Sequence, residues 1–354
     1  VVYLKSPDYA QLVRTKDIKS KFTNNDFVYI SKSAYEYLWR VHFDKPIIIM
    51  PNIGNCGEVY YLEPHMLPYK NSALGPNAIM LKKTTHDMKF LSYALERDDF
   101  QSRLADITSP SGQTKFNKTA LAKISIVIPE CFSEQQAIAS ALSDFDEHID
   151  NLTELIEKKK AIRDGALEDL VSGRTRLDGF DGEWEEGTIG DILTIHHGKN
   201  QHSVESFDGK YPILGTGGII GKSTEFLCDW ECVLIGRKGT IDNPMYMNTP
   251  FWTIDTLYYS KPKINQCVKF QYYLFCTINW LDYAESSGRP SLAKNVIEGV
   301  PISIPNIPEQ QAIAQVLSAM DEEIESLKIE KDKMIQIKEG AMDDLLTGRV
   351  RLKV

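Results

Sequence analysis

The sequence predicts an α+β chain in which two globular α/β units alternate with two long helices, the whole pattern being written twice. Three observations carry this. The stretch Glu134–Leu177 returns as Glu309–Leu352 without a gap, at a constant offset of 175 residues and with about half its positions identical. Both copies space their apolar residues alternately four and three apart. The segments preceding them are mixtures of short strand-like runs and turns whose ends also align. A repeat of this kind fixes architecture before any local reading does.

Each copy reads as one long helix. The first seam is Ile138, Leu142, Phe145, Ile149, Leu152 and Ile156; the second is Ile313, Leu317, Met320, Ile324 and Leu327. This is the narrow seam of a coiled coil, not the broader stripe of a surface helix. Ser133 with Gln136 predicts a capping box, and Pro308 suits a first helical position. Gly165 and Gly340 are expected to interrupt the two helices at matching points, and Gly173 and Gly348 to stop them. A thirty-residue helix is a rod of roughly 45 Å. Two such rods in one chain most simply bury each other's seam.

The apolar fraction of 42% is that of a folded globular chain. No apolar run is long enough to span a bilayer and no signal peptide is visible, so no membrane association and a cytoplasmic location are expected. The six cysteines lack any Cys-x-x-Cys pair and are expected to be reduced. The net charge of −9 argues mildly against nucleic acid. However, the acidic residues crowd the helices (Asp144, Asp146, Glu147 and Asp150; Asp321, Glu322, Glu323 and Glu325), and a polyanion answers to a local basic face, not to the sum.

In order, the chain divides into a globular domain over residues 1–130, a helical segment over 131–177, a second globular domain over 178–305 and a closing helical segment over 306–354. In the first domain, strands are predicted at Phe27–Ile30, Pro46–Met50, Ala78–Leu81 and Ile124–Ile128, and a helix near Met88–Leu95. The two domains are distantly alike. Ile124–Pro129 aligns with Val300–Pro305, Ile47–Gly57 with Val233–Gly239, and Leu12–Ile18 with Ile213–Ile219. On this alignment some thirty residues of the second domain, Trp184 and Gly190-Asp191-Ile192 among them, have no counterpart, and the first domain is expected to lack its N-terminal portion. A kept scaffold with divergent loops suggests two binding modules that recognise different things in one manner.

Catalytic motifs fail on spacing. Thr216–Ser223 nearly spells a phosphate-binding loop, but Thr216 stands where the first glycine belongs and no long helix follows. Asp242-Asn243-Pro244-Met245-Tyr246 resembles the loop of amino-methylating DNA methyltransferases, yet it lacks the second proline and a companion glycine-rich strand, so a turn is predicted. His196, His197 and His202 have no carboxylate or cysteine at ligand spacing; no metal and no catalytic residue are expected. What remains is a set of polar and basic residues on glycine-bearing loops. In the first domain these are Arg14, Lys16, Lys19, Asn52, Asn55, Ser111, Gln113 and Lys115. In the second they are Lys199, Asn200, Gln201, Thr216, Lys222, Arg237, Lys238, Thr240, Ser287, Arg289 and Ser291. Arg, Lys, Asn and Gln pair with base edges and Ser, Thr and Lys with phosphates, so the set is a candidate double-stranded DNA interface; taken singly, each is as readily an ordinary solvated loop residue.

The sequence resembles the specificity subunit of type I restriction–modification systems. The residues that carry the resemblance are Ile-Pro ahead of Glu-Gln-Gln-Ala-Ile-Ala, the heptad helix, and the ending Gly-Ala-(Leu/Met)-x-Asp-Leu-(Leu/Val)-(Ser/Thr)-Gly-Arg-x-Arg-Leu. The Trp184…Ile189-Gly190-Asp191-Ile192 opening and the run Tyr211–Gly218 also fit. The resemblance covers essentially the whole chain. It implies two target recognition domains, each reading one half of a split DNA site, and two helices packed antiparallel as a pseudo-twofold spacer. It further implies no catalysis and no cofactor on this chain. Two methyltransferase (modification) subunits would dock on the helices with S-adenosylmethionine, and two restriction/translocase subunits with ATP and Mg could join them. A stand-alone DNA-binding regulator or anti-restriction protein on the same scaffold, and a purely structural coiled-coil adaptor, are the alternatives.

Overall fold

The structure is a computed structural model that describes residues 1–82, 84–109, 114–285 and 288–353. The chain forms two compact units, Val1–Leu152 with Glu330–Val354, and Thr153–Ile329.

In the first unit, β1 (Ala10–Val13) lies between β2 (Val28–Ile30), antiparallel to it, and β5 (Ser72–Leu74), parallel to it. The short helices α1 (Thr15–Lys19) and α2 (Lys32–Tyr37) follow β1 and β2. A second sheet places β3 (Ile47–Pro51) between β4 (Tyr60–Leu62) and β6 (Ala78–Leu81). Every residue of β3 is buried, as befits a central strand. Alternation sends Ile47 and Ile49 into one core with Val13, Ile18 and Leu74, and Ile48 and Met50 into another with Leu95, Phe100 and Leu104. Each such side chain contributes roughly 1.5–3 kcal/mol. Helices α3 (Met88–Glu96), α4 (Asp98–Asp106) and α5 (Lys118–Leu121) cover the second face. The long helix α6 (Phe132–Val171) starts in this unit.

The second unit repeats the plan. It opens with β7 (Glu185–Thr188), α7 (Ile189–Ile192) and β8 (Leu193–His197). Strand β9 (Tyr211–Gly215) lies between antiparallel β10 (Gly218–Ser223) and a later parallel strand. The central β11 (Cys232–Gly236) is fully buried and pairs with β12 (Met245–Met247). The parallel partner of β9 is β13 (Trp252–Thr253), and β11 continues through β14 (Leu257–Pro262) to β8. Alternation again divides β11, Val233 and Ile235 facing one core and Cys232 and Leu234 another. Then come α8 (Val268–Thr277), α9 (Lys294–Glu298), β15 (Pro301–Ile304) and the long α10 (Ile307–Thr347). The strand orders β2-β1-β5 and β10-β9-β13 match in sense as well as in sequence. They bring Leu12 and Ile213 to equivalent places, as the sequence alignment expects.

Within each unit the two helices run antiparallel, because partner numbers fall on one as they rise on the other. In the first unit Glu134 pairs with Arg351, Asp146 with Lys338 at 2.6 Å, and His148 with Glu330. In the second, Glu309 pairs with Arg176, Asp321 with Arg163, and Glu323 with Lys159 at 2.7 Å. These pairs explain the repeated signature. The glycines at 173 and 348 take φ of +73° and +75°, the left-handed conformation that ends a helix. The arginine three residues beyond each glycine then folds back as a fork: Arg351 holds the buried Glu134 at 2.5 and 2.6 Å, and Arg176 holds the buried Glu309 at 2.5 and 2.7 Å. The next glutamine fastens the helix start to the domain. Gln135 donates to the Pro129 carbonyl and accepts from the Asp87 N–H ahead of α3, as Gln310 donates to Pro305 and accepts from Cys267 ahead of α8.

Of the predicted seam, Ile138, Leu142, Leu152, Ile156, Ile313, Leu317 and Ile324 are buried, and Phe145, Ile149, Met320 and Leu327 are half-buried. Ile138 and Leu142 share a core with Phe90, Tyr93, Leu345 and Leu346; Ile313 and Leu317 share one with Leu167, Leu170 and Val171.

Three local expectations are corrected. Gly165 and Gly340 do not interrupt their helices; α6 and α10 run through them, each glycine having open space around it. An exposed glycine costs a helix about 1 kcal/mol, too little to stop one held by packing on its other face. Ser133 does not cap: α6 begins one residue earlier, and the Ser133 hydroxyl meets the Cys131 thiol at 2.9 Å. On α10 the cap is Asn306, whose side chain accepts from the Glu309 N–H at 3.1 Å, and Pro308 is the second residue. Finally, Ile124–Ile128 forms no strand. Its aligned partner β15 exists as a strand because β7 pairs with it over Glu185–Thr188, and the first unit supplies no equivalent of β7 among the described residues.

Candidate nucleic-acid interface

In the second unit, most of the predicted loop residues gather where β9, β11 and β13 end and β14 begins. The loop after β11 is held chiefly by backbone hydrogen bonds. The Arg237 N–H donates to the Thr256 carbonyl, the Gly239 N–H to Pro290, and the Leu292 N–H back to Arg237. This sets Lys238 beside Ser291 in an isolated bridge. A Cβ on Gly236 would collide with the Thr240 carbonyl, so the tight path that presents Arg237, Lys238 and Thr240 requires glycine there. Thr216, at the β9–β10 turn, has its hydroxyl 4.0 Å from where a Gly239 Cβ would stand. On the neighbouring strand end, the Lys199 N–H donates to Thr253, and Trp252 donates from its indole to the Lys199 carbonyl. A Cβ on Gly198 would strike the Ile254 carbonyl. Asn200 accepts from the His202 N–H, and Gln201 turns the chain toward Val204. Lys222 lies exposed on β10, opposite Pro212.

Electrostatically this cluster is open. Lys199, Lys222, Lys238 and Arg289 are exposed, and none has a carboxylate partner among the described residues. Arg237 donates to the Asp255 carbonyl at 3.3 Å and also lies against the Tyr258 hydroxyl, so its contacts are with neutral oxygens. Cations held this way keep their charge available for phosphate or base edges.

The first unit builds the same corner differently. Gly54 and Thr114 exchange hydrogen bonds, Ile53 bridges Lys115, and Asn52 donates from its amide to the Phe116 carbonyl at 3.3 Å. Asn55 and Lys115 are exposed there. The remaining cations are engaged. Arg14 forks onto the buried Asp17 carboxylate at 2.9 and 2.7 Å, which raises its own pKa. Lys16 pairs with Asp26 at 2.6 Å and Lys19 with Glu58 at 2.7 Å. Lys16, through its hydrogen bond, holds the Asp26 carboxyl below its ordinary value. Thus Arg14 fixes the turn after β1, and its guanidinium is not presented to a ligand. Ser111, Gln113 and Ser287 lie outside the described residues.

The rejected motifs resolve simply. Thr216–Gly218 is a hairpin turn. His196 stacks on Tyr259 at 5.3 Å, and burial, with Lys294 and Lys261 nearby, pushes its pKa down. Among the described residues, no group of three or more His, Cys, Asp or Glu is placed to hold a metal. No described helix is long and apolar enough to cross a membrane. Sequence reasoning passed over Phe207, Ile219 and Ile220, which are 95%, 71% and 52% exposed around the same hairpin, because it looked only for polar side chains.

Comparison with known proteins agrees with this two-unit plan. Residues 5–161 and 181–337 each match the family described as type I restriction modification DNA specificity domain. A putative type I specificity subunit of Mycoplasma genitalium is 23% identical over 308 residues, covering 82% of this chain and 78% of that protein. A type I restriction enzyme specificity subunit of Methanocaldococcus jannaschii is 23% identical over 355 aligned residues, covering 88% and 80%. The crystal structure of the type I restriction–modification S subunit from M. genitalium superposes with a TM-score of 0.63 at 23% identity, covering 86% of this chain and 84% of that one. The duplicated strand order, the forked arginine signature and the matches over both repeats place the chain in the type I restriction modification DNA specificity family, as a specificity subunit of a type I restriction–modification system.

Proposed function

We propose that this chain reads a split DNA sequence, one half with each globular unit, while α6 and α10 set the gap between halves and dock two methyltransferase subunits. The observation that carries the reading is that both units share one strand order and present different side chains from the same loops. One scaffold bearing two loop sets suits two half-sites of different sequence. In this reading the chain performs no chemistry. S-adenosylmethionine belongs to the modification subunits, and ATP and Mg to any restriction subunits that join them. The exposed acidic residues of the helices, Asp144, Glu147, Glu322 and Glu325 among them, offer the docking faces. A backbone held at two loop clusters positions the protein on the duplex, and the loop side chains select the bases.

The test is co-expression with the neighbouring methyltransferase genes, followed by mapping of N6-methyladenine across the host DNA. A split motif of fixed gap, methylated once on each strand, is expected. A stable complex that leaves the DNA unmethylated would contradict the reading.

A further inference from the structure

We propose that the tip of the β9–β10 hairpin is a base-contacting element, in which Ile219 and Ile220 pack against the C5-methyl group of a thymine in the major groove. The proposal rests on the DNA-reading function above and assigns to it two residues of a kind that polar readout does not use.

Gly215 pairs with Gly218 across a two-residue turn, and Ile219 pairs with Leu214. The register then slips between Ile219 and Gly221, so Ile220 is the extra residue of a β-bulge. In a regular strand, two consecutive side chains face opposite ways and one of them would enter the core. The bulge breaks that rule and re-aims a side chain. Both isoleucines end at the surface, 71% and 52% exposed, while Leu214 across the ladder is buried. Two β-branched apolar side chains at a hairpin tip gain nothing from water; they gain from a partner that covers them.

The surroundings say which partner. Lys222 projects from the same strand, exposed and without a carboxylate partner among the described residues. The turn itself, Thr216–Gly218, stands beside the Arg237–Thr240 loop. The exposed Glu205 carboxylate lies beside Gly221, but Lys222 and the Arg237–Lys238 loop adjoin the same tip, and the apolar tip set among these cations favours a polyanion over an apolar protein surface. A two-stranded ribbon fits the major groove, and the apolar feature a base pair displays there is the thymine methyl. The half-site of the second unit thus contains an A·T pair at the position the tip reaches.

The experiment uses the complex of this chain with its methyltransferase subunits and duplexes carrying the mapped site. Each thymine of the second half is replaced in turn by deoxyuridine, which removes only the methyl. At one position wild type should bind about fourfold more weakly, the value of one buried methyl-sized group. In the Ile219→Ala/Ile220→Ala variant, that thymine–uracil ratio should fall to one, with thymine substitutions in the first half unaffected. A ratio that survives in the variant overturns the proposal, as does a second half insensitive to uracil throughout. Equal weakening on thymine and uracil duplexes, with a loss of DNA bending, would replace methyl contact by a wedge between base steps and would also overturn it. Failure of the underlying reading looks different: wild type would then show no preference for any split site.

Discussion

The first and second units fold alike and treat most of their candidate loop cations oppositely. In the first, Arg14, Lys16 and Lys19 are each held by a carboxylate: Asp17, Asp26 and Glu58. In the second, Lys199, Lys222, Lys238 and Arg289 stand exposed without one among the described residues. The sheets differ in the same sense. Strand β14 lies buried between β11 and β8, whereas β6, its counterpart, pairs with β3 alone among the described residues and is only half-buried. The lesson is that a duplicated scaffold constrains where loops are presented and leaves free what they present. The loop cations of one unit are fastened to its own carboxylates, while those of the other stand open to solvent.

The comparison can be broken at its core first. Leu142 and Leu317 occupy matched, fully buried positions. Leu142→Ala and Leu317→Ala should each cost about 2–5 kcal/mol. Amide exchange should rise chiefly in the first unit for Leu142→Ala and in the second for Leu317→Ala; a uniform rise would mean that the units do not open separately.

The contrast in cations comes next. Arg237→Ala or Arg289→Ala should cost about 1–3 kcal/mol in recognition of the second half-site and leave the first unchanged. Lys16→Ala should leave both within twofold, because Asp26 already holds that ammonium. Binding assays on duplexes altered in one half would reveal it, and an equal loss at both halves would sink the modular account.

Acid should sharpen the helix-end symmetry. The hydrogen bonds from Arg351 hold the Glu134 carboxyl below its ordinary value of 4.5. A depressed carboxylate contributes stability that is fully present above the unfolded value and is lost as pH falls through the folded one. Denaturant midpoints followed below pH 4.5 should therefore fall more steeply for wild type than for Glu134→Gln, whose midpoint should already be lower at neutral pH. Parallel curves would mean that the fork adds nothing. The smallest effect is expected at the helical glycines: Gly165→Ala and Gly340→Ala should each stabilise by about 0.5–1 kcal/mol, since a methyl there meets open space.

Much of this was legible in the chain. The repeated helix announced itself by periodicity, and β3 and β11 by unbroken apolar runs entering glycine loops. What was not legible depended on pairing partners distant in sequence. Ile124–Ile128 has the composition of a strand, but composition does not supply the neighbour that β7 gives β15. Gly165 reads as a stop because its effect is local, while the packing that overrides it is not. In the candidate site, the loops were found through their glycines. The engagement of Arg14 by Asp17 was not, although the two are only three residues apart. The Ile219–Ile220 pair is apolar and so fell outside a search for polar side chains, and the bulge that exposes both is a property of register.

The account's central claim is that the units select the bases while the helices set the gap. Its most direct test is to delete the matched heptads Leu152–Lys158 and Leu327–Lys333 together, keeping the seam in phase, and to map methylated adenines again. Each helix shortens by about 10 Å, some 3 base pairs of duplex. The account predicts both half-sites unchanged and a gap narrowed by about that amount. An unchanged gap, or a new sequence in either half, would contradict it.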